Sequence, residues 1–371
     1  MSRINPDRLI SGNIPLAEPC VQEPLQISPD YVRISSASAI ALRLISGRFA
    51  RRFEFGGINI LLNYEQGCFS DCAYCGLART RPGRYEEKSF IRVDWPLVET
   101  DLLVERMAEY QDRLTRLCIS MVTHGHAYRD TADITERIRK KVKTPLSILV
   151  APPTLNYDRL KTFKALGVDM IGVGLDAVTE EVFVQRRTNV PQGGLKWQNY
   201  WDVIHWSREI FGPWKVNCHT LVGLGESDKD LIDLFYYLKS RQIFAYLFCF
   251  NPEPDSRMGE HPKPHITRWR RIQLVKSLLE DYDLPRDRLE FDEAGNLIRL
   301  KAPLSQVMQV VRTGLPFMTN GCPGENGEPG CTRPYGSYRP SEPYRDYPFV
   351  PNDEDQKEIV EQLQLEEFIG E

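Results

Sequence analysis

The chain has 371 residues, 42% apolar and 26% charged, which are values of a globular protein and exclude a disordered or fibrous one. Its formal charge is −4; residues 353–371 carry eight acids and one lysine, so −7 sits there and +3 on the rest, too little for strong non-specific nucleic-acid binding. The longest apolar runs, such as residues 243–250, stop at about eight residues, far short of a membrane span, and the start Met1-Ser-Arg-Ile-Asn-Pro lacks the apolar stretch of an export signal. A cytoplasmic protein is expected.

In chain order, residues 1–50 read as an N-terminal extension, with a helix predicted over 36–51 from the spacing of Ile40, Leu42, Leu44 and Ile45. Six short apolar runs follow, at 58–63, 117–122, 146–150, 170–175, 214–222 and 243–250. Several lack alternation, as parallel strands covered on both faces do. Helical spacing lies between them, over 95–113, 134–143, 155–165, 180–187, 199–210 and 229–239. Strand then helix, repeated six times, predicts an α/β protein built on a partial (β/α)6 TIM-like barrel over 51–265. A further helix over 268–281 and a hairpin around Asp292–Asn296 make up a segment 266–321. Residues 322–351 hold seven prolines and five tyrosines or phenylalanines, which excludes a long helix and predicts an ordered loop over the barrel. The last segment, 322–371, closes with an acidic, solvated helix over 353–368. No short internal repeat is found.

The nine cysteines are Cys20, Cys68, Cys72, Cys75, Cys118, Cys218, Cys249, Cys322 and Cys331. An odd number without an export signal points to metal or catalysis rather than disulfides. Gly67-Cys68-Phe-Ser-Asp-Cys72-Ala-Tyr74-Cys75-Gly76 follows the first strand directly. Zinc normally asks for four ligands from paired knuckles, and an ordinary 4Fe–4S cluster for four cysteines. Three thiols leave one iron open for a substrate or cofactor.

Cys68-x3-Cys72-x2-Cys75, with an aromatic before the last cysteine, resembles the signature of the radical S-adenosylmethionine (SAM) enzymes. The resemblance implies that the open iron binds the amino and carboxylate groups of SAM. An electron then cleaves the sulfonium bond and yields a 5′-deoxyadenosyl radical that abstracts hydrogen. It also implies SAM contacts for Tyr74 near the adenine, Thr123 at the amino group, and Asp176 at the ribose. The Gly-rich Leu221–Ser227, with Val222 and Gly223, would lie against the adenine.

Within that superfamily, residues 55–255 are similar to the sulfur-inserting biotin and lipoyl synthases. Arg186, ten residues after Asp176, would pair with the cofactor carboxylate as a bidentate clamp. These enzymes draw sulfur from a second cluster. Arg116-Leu-Cys118 matches the first cysteine of the biotin-type set, but the set is incomplete here, since the third strand reads Ser147-Ile-Leu-Val and Cys218 is one residue off register, which turns it to the other face. Cys118, Cys218 and Cys249 read as small buried apolar residues. Cys322 and Cys331, followed by Arg333-Pro-Tyr-Gly-Ser337, resemble the departure found in two-component lipoyl synthases. This resemblance implies an auxiliary 4Fe–4S cluster on Cys322, Cys331 and Cys20, with Ser337 or Ser341 as fourth ligand. The implied activity is lipoyl synthase-type sulfur insertion into an octanoyl chain on a lipoyl domain or H-protein-like carrier. The partners would be a second radical SAM subunit and an electron donor such as ferredoxin or flavodoxin. The alternatives are a biotin synthase-like or other radical SAM enzyme on a small molecule, and a non-enzymatic iron–sulfur scaffold. His124 and His126 border the site in a structural role.

Overall fold

Residues 25–187, 195–319 and 321–370 are described by the computed structural model of the chain. Strands β1 (Tyr31–Ile34), β2 (Gly57–Leu62), β3 (Leu97–Glu99), β4 (Arg116–Ser120), β5 (Leu146–Val150), β6 (Met170–Asp176), β7 (Val216–Val222) and β8 (Phe244–Cys249) form one sheet. Its order is β3-β1-β2-β4-β5-β6-β7-β8. From β2 to β8 all neighbours are parallel and in chain order. Each crossover carries helix, as parallel pairing requires: α2 (Thr100–Glu109), α3 (Ala127–Lys141), α4 (Tyr157–Ala165), α5 (Glu180–Arg187) with α6 (Trp197–Phe211), and α7 (Asp228–Ser240). This is an α/β fold with a mostly parallel sheet, consistent with a TIM-like partial barrel.

Two early helices are shorter than their periodicity predicts. The first, α1, covers only Ser36–Ala41, begun by the Ser35 hydroxyl accepting from the Ser38 N–H. The chain then leaves the helix at Arg43, whose φ is 54°. Of the stretch 95–113, residues 97–99 instead form β3, which pairs antiparallel with β1 and extends the sheet edge.

Beyond β8 the helix α8 (Ile266–Tyr282) leads to the antiparallel pair β9 (Leu289–Phe291) and β10 (Leu297–Lys301), then α9 (Leu304–Thr313). The hairpin is tied to the start of α7 by Lys229 N–H donating to Gly295 O (3.0 Å) and Leu297 N–H donating to Asp228 Oδ2 (2.9 Å). The acidic end is not merely solvated. Helices α10 (Asp353–Leu363) and α11 (Leu365–Phe368) bury Ile359, Leu363, Leu365 and Phe368, and β11 (Ile369–Gly370) pairs with β10. Arg271 of α8 donates to Leu363 O (3.0 Å), and Arg270 donates to Gln362 Oε1 (2.7 Å). Asp355 shares the buried face with Ile359 and Leu363, paired with Arg51, while Asp353, Glu354, Glu358 and Glu361 are exposed, a pattern masked by the summed charge.

The Pro- and Tyr-rich stretch is pinned under the sheet at the starts of its strands. Arg116, almost fully buried at the head of β4, donates to Pro323 O through Nε (2.7 Å) and to Asp169 through Nη1 (2.6 Å). Thr115 Oγ1 donates to Gly330 O (3.3 Å). Cys331 N–H donates to Cys322 O (3.1 Å), closing a narrow loop. A Cβ on Gly321 would stand 2.0 Å from Cys331 O, and one on Gly330 would stand 2.7 Å from Cys322 O. Only glycine allows these two backbones to meet.

Candidate active site

Strand side chains alternate between faces. On β2, β4, β5, β6, β7 and β8 one alternation faces a single cavity of about 290 Å³. Asn59, Cys118, Ser147, Gly172, Asn217 and Tyr246 line it near the heads of the strands, while Leu61, Leu149, Leu221 and Phe248 give it apolar walls. Cys68, Cys72 and Cys75 line the opposite end, where the loop leaves β2.

That loop is fixed by its own backbone. Phe69 N–H donates to Thr123 O (2.8 Å), Ala73 N–H to Arg186 O (2.8 Å), and Cys75 N–H to Cys72 O (3.1 Å). Gly67 has φ +65°, and a Cβ there would strike the Tyr85 ring at 2.5 Å. The buried Asp71 carboxylate accepts from Thr80 N–H (2.9 Å) and Oγ1 (2.8 Å) and pairs with Arg257. Burial opposes its charge, but these donors hold it below the usual carboxylate range. Burial pushes the Cys72 and Cys75 thiols up, most strongly at Cys75, so a cation is needed to ionise them.

The donors suit an iron–sulfur cluster with one open corner. Among the described residues no three Cys, His, Asp or Glu side chains already stand close enough to hold one metal ion. Tetrahedral zinc would want sulfurs about 3.8 Å apart, given Zn–S of about 2.3 Å. A cluster meets each thiolate with a different iron and accepts a wider set.

Of the sequence-predicted SAM residues, Tyr74, Thr123 and Asp176 line the cavity beside the loop. Tyr74 Oη donates to Asp176 Oδ2 (2.5 Å), and Ser70 Oγ donates to Thr123 Oγ1 (2.7 Å). Asp176 ends β6 with φ 61° beside a register shift, which turns its carboxylate toward the loop. Val222 and Gly223 do not line the cavity. Val222 is fully buried, and the N–H groups of Gly223, Leu224 and Gly225 donate to the Glu226 carboxylate at 2.8–3.1 Å. The Gly-rich turn is therefore already capped from within, and Arg268 pairs with its cap at 2.9 Å.

Arg186 serves the same turn, donating through Nε to Leu224 O (2.8 Å), and is not a cavity residue. Its neighbour Arg187 is. Arg187 is buried, 3.4 Å from Asp176 Oδ2, and donates to Leu175 O (2.8 Å) and Tyr200 Oη (3.1 Å). Burial opposes its charge, but Tyr200, Tyr74, Cys72 and Asp176 outweigh that and hold its pKa well above the usual value. Arg187→Met would remove the cation beside the half-buried Asp176 carboxylate, leaving it only the Tyr74 hydroxyl. The expected loss is about 3–5 kcal/mol of stability in denaturant unfolding of the metal-free chain; a loss under about 1 kcal/mol would contradict the pairing.

Cys322, Cys331 and Ser337 also line the cavity; Cys20 lies outside the described residues. Ser337 Oγ accepts from Arg333 Nε (3.3 Å). Sequence reasoning weighed Cys118 and set it aside as a buried apolar residue, and it missed Arg187, His219 and Arg333; all four line the cavity. The available signal was register: Cys118 shares a facing layer with Asn59 and Ser147, whereas Cys218 points outward, fully buried. Burial and the nearby Arg333 hold His219 neutral, with a pKa lowered to about 3. His124 is outside the cavity, stacked on Tyr64 at 3.8 Å.

Residues 62–238 match the family model of the Radical SAM superfamily. The chain is 24% identical over 205 residues to an uncharacterized protein of Methanocaldococcus jannaschii, covering 52% of this chain and 48% of that one. It is 25% identical over 229 residues to a biotin synthase of Staphylococcus epidermidis, covering 59% and 67%. The first of these curated relatives is thus matched over about half of its length. Among solved structures, methylornithine synthase aligns with a TM-score of 0.43 at 11% identity, over 60% of this chain and 61% of that one. The FeFe-hydrogenase maturase HydG from Carboxydothermus hydrogenoformans aligns with a TM-score of 0.46 at 16% identity, over 90% and 70%. Likeness this remote speaks to neither reaction nor substrate.

Proposed function

The chain belongs to the radical SAM superfamily through residues 62–238, and from that premise we propose that it inserts sulfur into an octanoyl chain carried on a lipoyl domain or H-protein-like carrier, as a lipoyl synthase-type enzyme. Cys68, Cys72 and Cys75 would hold a 4Fe–4S cluster. With SAM at its open corner, that cluster supplies a 5′-deoxyadenosyl radical. A second cluster on the tail cysteines would supply the sulfur.

One observation carries this reading. A single cavity has the loop thiols at one end, Cys322 and Cys331 at the other, and between them walls of Leu61, Leu149, Leu221 and Phe248 broken by Ser120 and His219. Walls that are mostly apolar suit an alkyl chain, which brings no polar group of its own to leave unpaired. The protein's task is to hold the target carbon in line between the two ends and to exclude water. Tyr74 and Asp176, bonded to each other, and Thr123 would orient SAM. Arg187, the cation beside Asp176, is better situated than Arg186 for the cofactor carboxylate.

No helix among the described residues is long and apolar enough to cross a membrane. The reading puts the chain in the cytoplasm, beside an electron donor such as ferredoxin or flavodoxin and a second radical SAM subunit sharing the two insertions. A second reading, sulfur insertion into a free small molecule, is favoured by the biotin synthase relatives.

The test uses the full chain, reconstituted anaerobically, with SAM, reductant and a lipoyl-domain peptide bearing a perdeuterated octanoyl group. Deuterium should enter 5′-deoxyadenosine, and the peptide should gain sulfur. 5′-Deoxyadenosine that stays free of deuterium rejects the octanoyl substrate.

A further inference from the structure

We propose that Arg333 anchors the head of the substrate: its guanidinium takes the acyl oxygen at the end of the alkyl chain, with His219 beside it on the same wall. The inference rests on the alkyl-substrate reading above and names the group by which that substrate is recognised. The acyl oxygen is common to an octanoyl amide on a carrier and to a free carboxylate.

The backbone holds Arg333 in place. Its φ is 43°, in the left-handed region that residues other than glycine rarely adopt. Gly336 N–H and Ser337 N–H fix this turn, both donating to Arg333 O (3.2 and 3.1 Å). A Cβ on Gly336 would stand 2.6 Å from Ile91 Cδ1, so the turn is wedged against a second segment that lines the cavity. The Arg333 guanidinium then covers the face of Phe248, 4.0 Å from the ring centre. Tyr246 packs against Cys322, and Phe248 is the next cavity-lining residue along β8 toward the loop thiols. The charge therefore stands on the wall between the two ends.

That charge is not spent within the protein. Among the described residues the guanidinium makes one hydrogen bond, from Nε to Ser337 Oγ (3.3 Å), and no ion pair. Asp346 lines the same cavity, but it accepts from Gln273 Nε2 (3.0 Å), and burial pushes its pKa up to about 7, so it gives no firm counter-charge. The two Nη groups, donors only, are left for a ligand. The neutral His219 ring adjoins Phe248 at 4.8 Å and adds a polar edge without adding charge. Next to it Asn217 is fully buried, and its Oδ1 has no partner among the described residues. That atom and His219 Nε2 flank the space that a Cβ on Gly172 would take, at 2.7 and 3.4 Å. A substrate that was alkyl throughout would leave these groups unpaired in an enclosed cavity. A carboxyl or amide oxygen at one end accepts from the Arg333 fork, and the chain lies along Leu61, Leu149 and Leu221.

The experiment uses the full chain, reconstituted anaerobically and saturated with SAM, and calorimetric titration with three probes of equal alkyl length. The probes are octanoate, Nε-octanoyl-lysine amide and octylammonium. At least one acyl probe should bind about tenfold or more tighter than octylammonium; the amide marks a carrier-bound substrate and octanoate a free acid. Arg333→Met should weaken that acyl probe about tenfold or more and leave octylammonium unchanged or tighter. Arg333→Lys, which keeps the charge, should recover most of the lost affinity. The selectivity of the unmodified chain tests the site even where Arg333→Met does not fold. Equal affinity for all three heads, or acyl affinity in Arg333→Met within twofold of the unmodified chain, overturns the anchor and leaves the alkyl reading standing. Failure of every probe to bind overturns both.

Discussion

Cys72→Ala is expected to lower 5′-deoxyadenosine formation on the order of 1,000-fold, a barrier increase of ~4 kcal/mol. Cys72 is the most buried of the three loop thiols, and the loop around it is held by backbone bonds to Thr123 and Arg186 rather than by its own side chain. Replacing it should leave the fold intact while removing one of only three protein ligands to the cluster. Two thiolates do not keep a cluster in a fixed orientation toward a bound nucleotide. Cys218→Ala is the control: it deletes a buried sulfur on the outward face and should keep the activity within about twofold, with a stability loss of ~1 kcal/mol. The readout is 5′-deoxyadenosine measured by mass spectrometry after anaerobic reduction with SAM. Activity above about a tenth of the unmodified chain would contradict the three-thiol assignment.

Cys322→Ala should separate the two halves of the reaction. Cys322 is buried at the strand heads against Met170 and Tyr246, at the opposite end of the cavity from the loop. SAM cleavage should continue within about twofold, because nothing at the loop depends on this side chain. Sulfur transfer to the octanoyl chain should fall at least about 100-fold, since an auxiliary cluster with a lost ligand has no fixed sulfide to offer. Coupled with the deuterium experiment, the variant should still abstract hydrogen and accumulate unsulfurated peptide. Sulfur transfer that survives in Cys322→Ala would remove the tail from the chemistry.

Much of the barrel was legible because buried parallel strands are written as short apolar runs, and each of the six runs overlaps a strand of the sheet. The loop thiols were legible because all three lie within eight residues. What escaped was information carried by register and by long-range contact. Residues 97–99 have helical spacing but are captured as an edge strand by β1. The charge of the acidic C-terminal helix concealed an apolar stripe that packs on α8. Cys118 matches one biotin-type cysteine in the sequence, but only the register shows it facing the cavity beside Asn59 and Ser147. Arg186 and Arg187 are adjacent and chemically identical, and only the turn of α5 decides which one faces Asp176. The Gly-rich turn looked open for a ligand because sequence could not show that Glu226 folds back onto its N–H groups.

The most direct test of the central claim is metal analysis of the anaerobically purified and reconstituted full chain, joined to electron paramagnetic resonance with and without SAM. The account predicts about eight irons per chain, of which about four are lost with Cys68, Cys72 and Cys75, a reduced signal that changes when SAM is added, and 5′-deoxyadenosine as a product. One zinc per chain lost together on Cys72→Ala, with no 5′-deoxyadenosine formed, would contradict it.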